Sequence, residues 1–272
     1  MSPQLAQPLV IEQAGLQRRA RVLWSGLDLA LHPGELIAVL GPSGSGKTTL
    51  LRAILGLDRL SEGRITVLGE PVRGTGNRRV GYIPQQRPLP RDTAMRARDL
   101  VRLGVDGHRF GLPIPRRGER ARVDALLADA GATEFADRPV GLLSGGEQQR
   151  LRVAQALADR PRLLLCDEPL TSLDLANQEA VVRMIDRHRR EHDAGVLLVT
   201  HDINPVLERV DRILYLAGGR FSLGTPGDVL RSDVLSGLYG ADVFVTRAGN
   251  RLVVVGAPDA EEAHHHHEDE SA

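Results

Sequence analysis

Leu36-Ile37-Ala38-Val39-Leu40, then Gly41-Pro42-Ser43-Gly44-Ser45-Gly46-Lys47-Thr48-Thr49, then Leu50-Leu51-Arg52-Ala53-Ile54-Leu55 reads as a buried strand, a glycine-rich loop and a helix. The apolar run is short enough for a strand, and the helix expected from Thr48 to Leu55 stops near Gly56. The loop follows the spacing G-x-x-x-x-G-K-[ST], in which backbone amides and the positive end of the next helix face phosphate oxygens. Lys47 is the only lysine of the chain, and the rest of its 35 basic residues are arginines. A tight backbone nest around a triphosphate takes a compact ammonium on a flexible stem, not a planar guanidinium fork. Composition and spacing therefore single out the same residue.

The 272 residues, 42% hydrophobic and 26% charged, suit one large domain or one domain with an inserted lobe. A net charge of zero and a pI near 7.2 provide no broad basic field, which argues against nucleic acid as a partner. Arg116, Arg117, Arg120 and Arg122 form a local cluster that reads as a solvated helical face. With no charged leader before an apolar stretch and no apolar run of membrane-spanning length, the chain is expected to stay in the cytosol. Any membrane role then requires partner subunits. The single cysteine, Cys166, ends the run Leu163-Leu164-Leu165-Cys166 and reads as a small buried hydrophobe, and no disulfide can form within the chain.

Further apolar runs at Arg162 to Cys166, Val196 to Thr200 and Ile213 to Ala217 alternate with helical stretches, the pattern of a mainly parallel sheet between helices. Gln86 to Leu142 departs from it. The proline-rich connector Arg87-Pro88-Leu89-Pro90 opens a helical stretch that breaks near Gly111-Leu112-Pro113-Ile114-Pro115, which suggests a helical lobe inserted into the α/β core. Asp242 to Thr246 and Arg251 to Val255 read as two short strands joined at Ala248-Gly249-Asn250. From Pro258 onward the acidic, histidine-rich tail lacks apolar residues and is expected to be disordered.

At the phosphate loop Lys47 adds a full charge toward the β and γ phosphates of a nucleotide, and the Thr48 hydroxyl can ligate magnesium, a half-site common to many NTPases. Leu163-Leu164-Leu165-Cys166-Asp167-Glu168 supplies the second half of such a site. Its strand delivers Asp167 to the magnesium shell and Glu168 to the γ phosphate, where Glu168 is the candidate general base. A helix-capping pair is the plainer reading of the same two carboxylates.

Leu143-Ser144-Gly145-Gly146-Glu147-Gln148-Gln149-Arg150 resembles the signature motif of ABC transporter ATPases. Ser144 is also a good N-cap, with Glu147 completing a capping box, and both readings can hold. The resemblance covers about residues 9 to 230 and continues in order through Gln85, Asp174 and His201. It implies an α/β fold: a P-loop NTPase core with a mainly parallel sheet, an antiparallel N-terminal β region and an inserted helical subdomain at about 86–160, all within one domain of residues 1–257. It further implies ATP bound by Gly41, Pro42, Ser43, Gly44, Ser45, Gly46, Lys47, Thr48 and Thr49 of one copy. Ser144, Gly145, Gly146 and Asp174 come from a second copy in an ATP-sandwiched homodimer. Thr48, Gln85 and Asp167 are then the Mg2+ ligands, and Glu168, His201 and Gln85 the catalytic set, with His201 sensing the γ phosphate. In one respect the chain departs from the family. The aromatic that usually stacks on adenine is missing at Leu16 to Arg19; Trp24 is the nearest, and Arg18 can stack instead.

Gly224-Thr225-Pro226-Gly227-Asp228-Val229-Leu230, followed by Leu235 to Gly240 and the strand pair, resembles the ATPases of zinc and manganese importers; iron-siderophore and haem importers share part of that ending. The resemblance implies membrane permease subunits and, indirectly, a metal-binding extracytoplasmic protein as partners, with the chain peripheral on the cytoplasmic face of the membrane. His264, His265, His266 and His267, followed by Glu268, Asp269 and Glu270, offer donors suited to zinc. A purification-tag remnant or an inert tail is the other reading of that stretch. A soluble ABC ATPase acting on nucleic acid or ribosomes is the reading from another class. Such proteins commonly carry two cassettes or a long coiled coil, and neither is present in this sequence.

Overall fold

The computed structural model describes residues 6–18, 21–72, 77, 79–85, 88–106, 118–249 and 251–256. In chain order its elements are β1 (Leu9–Arg18), β2 (Arg21–Leu31), β3 (Leu36–Leu40), α1 (Lys47–Ile54), β4 (Glu62–Val67), β5 (Glu70–Pro71) and β6 (Val80–Ile83). There follow α2 (Ala97–Asp106), α3 (Glu119–Asp129), α4 (Gly145–Leu157), β7 (Leu163–Asp167), α5 (Leu175–His192), β8 (Gly195–Val199) and β9 (Arg212–Ala217). The chain closes with β10 (Arg220–Gly224), α6 (Pro226–Val229), α7 (Ser232–Tyr239), β11 (Phe244–Ala248) and β12 (Arg251–Val255). These elements gather into two compact units, residues 1–77 with 195–272 and residues 78–194.

In the first unit β3 lies between β8 and β9 and runs parallel to both, with Leu36 opposite Val196 and Ile37 opposite Arg212, while β10 pairs antiparallel with β9. Every residue of β3 and β8 is buried, which is why both read as unbroken apolar runs. Polar contacts fix where these strands begin. Asp211 accepts a hydrogen bond from the Leu36 amide at 2.8 Å, and Arg212 forms a two-point ion pair with Glu35. With the starting ends aligned, the carboxyl ends of β3 and β8 deliver the glycine-rich loop and His201, the end of an α/β sheet where ligands bind.

The antiparallel sheet of this unit has the order β2-β1-β4-β5. β1 is irregular: its register shifts between Ile11 and Ala14, where Gln13 takes a left-handed φ of 44° and donates its amide to Asp28 at 2.7 Å. Near the other end, β11 starts two residues later than the strand expected from Asp242. Val243 is instead buried against α7, its amide donating to Ser236 Oγ at 2.9 Å.

In the second unit β6 runs parallel to β7, Val80 opposite Leu163 and Ile83 opposite Cys166. α4 packs against α2 and α5. The α2 to α4 approach requires Gly104, because a Cβ there would lie 2.0 Å from the Gln155 carbonyl oxygen. Cys166 is fully buried, and burial, then the adjacent Asp167 charge, pushes its thiol pKa upward, so it is the inert hydrophobe the sequence suggests. Of the arginine cluster, Arg120 is exposed as a solvated face requires. Arg122 is half-buried, where desolvation and then Arg160 lower its pKa; Arg116, Arg117 and the break near Gly111 to Pro115 lie outside the described residues.

Leu198 is fully buried at the centre of β8, opposite Ala38. Leu198→Ala is expected to lower stability by about 2–5 kcal/mol, measured as a fall in the urea midpoint.

Candidate functional site

The loop after β3 is shaped by glycines, most tightly at Gly41. Gly41 has φ +140°, and a Cβ there would sit 2.0 Å from the Leu216 carbonyl oxygen and 2.9 Å from Ser45 Oγ. Gly46 has φ +98° and acts as N-cap of α1, which carries neither a side-chain cap nor an acidic residue in its first turn. No carboxylate in that first turn opposes an anion at the positive end of α1. Lys47 is 8% exposed, and its ammonium donates to the carbonyl oxygens of Gly41 at 2.7 Å and Pro42 at 2.9 Å. Ser45 Oγ is buried without a hydrogen-bond partner, whereas Ser43 and Gly44 on the loop and Thr48 in the first turn of α1 are exposed. An unpartnered buried hydroxyl, an ammonium and a helix start without a side-chain cap suit a polyphosphate; Pro42 and Thr49 complete the segment.

Trp24 lies beneath this loop. It is fully buried in β2 opposite Leu16, and its Nε1 would be 3.0 Å from a Cβ on Gly46. Its ring therefore supports the loop from inside the fold and is not exposed to stack on a base. Arg18, at the end of β1, has a side chain 62% exposed and 3.6 Å from Asp58.

The second unit brings Gln85, Asp167 and Glu168 together. β7 ends at Asp167, which is 3% exposed and whose Oδ2 accepts from the Tyr82 hydroxyl at 3.4 Å. Glu168 adopts a left-handed φ of 47°, and one of its carboxylate oxygens accepts from Gln85 Nε2 at 3.2 Å and from Thr171 Oγ1 at 3.1 Å. A non-glycine residue in that region is strained and persists only where its surroundings hold it. Here the two side-chain donors hold the carboxylate. Asp167 and Gln85 carry hard oxygen donors of the kind Mg2+ takes, and within the first unit the Thr48 hydroxyl is another donor of that class.

Ser144 caps α4 as its sequence suggests: its Oγ accepts from the Glu147 amide at 3.3 Å and its amide donates to the Glu147 carboxylate at 2.7 Å. That box engages the third residue of the helix, and Ser144 and Gly145 are exposed at its start. A Cβ at Gly146 would meet the Asn177 side chain at 2.5 Å and displace it. Asp174 caps α5, accepting from the Asn177 amide at 2.8 Å and from its side chain at 2.9 Å, and these hydrogen bonds hold its carboxyl below the usual range. Asn177 in turn accepts from Arg150, so the starts of α4 and α5 are joined through Asp174, Asn177 and Arg150. Sequence reasoning missed Asn177, the place of Trp24 under the loop, and the part played by Gln148, whose buried amide donates to the Val140 and Leu143 carbonyls at 3.1 Å each. No local pattern marks them; only the third-residue position of Asn177 after the Asp174 cap gives a signal.

His201 follows β8 and is exposed in the first unit, and His264 to His267 lie outside the described residues. The sequence model of the ABC transporter family matches residues 24–171. This chain belongs to the ABC transporter family. Similar proteins include a zinc import ATP-binding protein of Paracoccus denitrificans, 38% identical over 224 residues, which cover 82% of this chain and 81% of that protein. A zinc import ATP-binding protein of Magnetococcus marinus is 32% identical over 231 residues, 85% of this chain and 82% of that protein. A phosphonates import ATP-binding protein of Stutzerimonas stutzeri is 37% identical over 245 residues, 82% and 88% respectively. Among solved structures, a chain of an inward-facing transporter described as metal-chelate type superposes with TM-score 0.75 at 28% identity, covering 91% of this chain and 96% of that one. The chain is thus an ATP-binding subunit of an ABC transporter and an ATPase, with the α/β fold that its sequence implies.

Gly46→Ala places a side chain at a left-handed φ and against Trp24. It is expected to weaken ATP binding at least tenfold, about 1.4 kcal/mol, in a titration with a fluorescent ATP analogue.

Proposed function

We propose that this ABC ATPase energises the import of a transition metal, zinc or manganese, through membrane permease subunits. The observation that carries the metal is the group of relatives named for zinc import, 32–38% identical over most of the chain. The run from Gly224 to Leu230 and the strand pair β11–β12 support it. The phosphonate-import relative, of comparable identity, favours a second reading in which the cargo is a phosphonate.

In this proposal two copies of the chain bind two ATP molecules. Gly41 to Thr49 of one copy cradle the phosphates, with Lys47 as the charge. Ser144, Gly145 and Gly146 of the other copy close over the γ phosphate, with Asp174 at the same joint. The exposure of Ser144 and Gly145 at the start of α4 supports that role. Thr48, Gln85 and Asp167 hold Mg2+, which when bound neutralises charge developing on the phosphate oxygens. Glu168 takes the proton of the attacking water, held for that task by Gln85 and Thr171, and His201 contacts the γ phosphate. Closure of the dimer on ATP and reopening after hydrolysis then drive the permease.

Among the described residues no helix is long and apolar enough to cross a membrane, so transport requires partners that do. We place the chain at the cytoplasmic face of the membrane, docked through the helical subdomain at about 86–160. A cavity of about 580 Å3 in the second unit, lined by Tyr82, Leu89, Leu100, Leu103, Arg152 and Gln155, supports docking of a permease helix there. An extracytoplasmic metal-binding protein hands over the cargo in this scheme, and nucleic acid has no part in it. Zinc held by His264 to His267 of the tail would report cytosolic metal.

Glu168→Gln preserves the hydrogen-bonding shape and removes the base. Turnover is expected to fall about 10²–10⁴-fold with ATP still bound in a closed dimer, seen by gel filtration; near wild-type hydrolysis would remove Glu168 from the base role. For the cargo, cells lacking the chain are grown in metal-poor medium and their zinc, manganese and iron measured. A selective fall in zinc or manganese, restored by the wild type and not by Lys47→Ala, is the expected result. Unchanged metals together with lost growth on a phosphonate as phosphorus source would move the cargo to the second reading.

A further inference from the structure

The turn that carries His201 is tied to the C-terminal hairpin. Within the turn, Thr200 Oγ1 accepts from the Asp202 amide at 3.2 Å and donates to its carbonyl oxygen at 2.8 Å. Asp202 Oδ1 accepts from the Asn204 amide at 2.9 Å and from its side-chain nitrogen at 2.7 Å. Asn204 then reaches 48 residues along the chain: its Oδ1 accepts from the Leu252 amide at 2.7 Å and its Nδ2 donates to the Leu252 carbonyl at 3.0 Å. Its carboxamide thus pairs with the outward edge of β12 as a neighbouring strand's peptide would. Arg251, next to Leu252, lies 3.6 Å from Asp202 Oδ2.

The hairpin at the other end of this link is itself anchored. Ser236 Oγ accepts from the Val243 amide at 2.9 Å and Ser232 Oγ from the Val245 amide at 2.9 Å, so α7 fixes its base. Core formation does not account for the hairpin, since Phe244, Val253, Val254 and Val255 are all exposed. A two-stranded hairpin has little stability alone, so its anchors decide whether it stays in place.

We infer that Asn204 and the edge of β12 form a clip that holds the turn 200–204 and thereby orients His201 for hydrolysis, which makes Asn204 a positioning residue. The inference rests on the role of His201 at the γ phosphate proposed above. Because the clip acts on His201 and not on the phosphate loop, its loss acts on turnover and leaves ATP binding alone.

The test measures ATPase kinetics, binding of a fluorescent ATP analogue and amide hydrogen exchange on the full chain. Asn204→Ala is expected to lower kcat about tenfold, to leave KM and analogue affinity within about twofold, and to speed exchange in both the turn 200–204 and β12. Leu252→Pro reaches the same contact from the other side. It deletes the one amide that faces Asn204, at an outward edge position where proline is tolerated in a strand, and the same split is expected. The two variants guard against a local folding defect in either one. If both keep kcat within about twofold of wild type, the clip is refuted. His201→Ala is the control for the underlying reading: wild-type turnover in that variant overturns the role of His201, and the inference falls with it. Lost turnover in His201→Ala with full turnover in both clip variants overturns the clip alone.

Discussion

The packing of Gly41 against the carbonyl oxygen of Leu216 constrains the rest of the first unit. The loop can leave β3 only where β9 runs alongside, and the pairing of Leu40 with Tyr215 sets that neighbour's register. A strand slipped by one residue would present a different carbonyl to Gly41 and turn every side chain of β9 to the opposite face. The contacts that align the strand starts, Asp211 with the Leu36 amide and Arg212 with Glu35, therefore act on the phosphate loop from the far end of the sheet. Local loop chemistry and long-range register are one problem, and the apolar strands solve it.

Those strands were legible because parallel strands buried on both faces leave continuous apolar runs. β3 matches its expected span, and β7, β8 and β9 each lie within one residue of theirs at either end. β1 and β2 were not readable in that way. A bulge at Gln13 interrupts the alternation of β1, and β2 mixes Trp24, Ser25 and Gly26 in a stretch whose pattern changes face. The antiparallel region came from the family resemblance and not from periodicity. At the site, the residues of the phosphate loop and of the Asp167-Glu168 pair declare themselves by spacing, since their chemistry is local to a turn or a strand end. Asn177, Gln148 and Asn204 do not, because each bonds to groups that only the folded chain brings near.

Helix starts carry much of the polar chemistry, and the structure treats them unequally. α1 begins at a bare left-handed glycine, while α4 and α5 begin at side-chain caps. A side-chain cap stabilises a helix by about 1 kcal/mol, and α1 goes without one where its first turn meets the phosphate loop. At α4 the capping box of Ser144 and Glu147 fixes the helix end while two glycines keep the first turn open. Such an end can be rigid and still receptive to an anion. The Asp174-Asn177-Arg150 link extends that rigidity to α5, so the two helix starts hold their relative positions as a pair.

Charge usage follows the same division of labour. Several arginines take two-point carboxylate partners, as Arg52 does with Asp58 and Arg64 with Glu12, where the planar fork matches two oxygens. Lys47 instead rests on two loop carbonyls that converge on a single point, at 2.7 and 2.9 Å. A guanidinium would have to span that space with a flat group wider than the nest closed by Gly41 and Gly46. The nest has little room to widen, since even a Cβ would meet the Leu216 carbonyl oxygen at Gly41 and Trp24 at Gly46. In a chain otherwise built on arginine, the backbone contacts that shape the loop are thus also what require lysine within it.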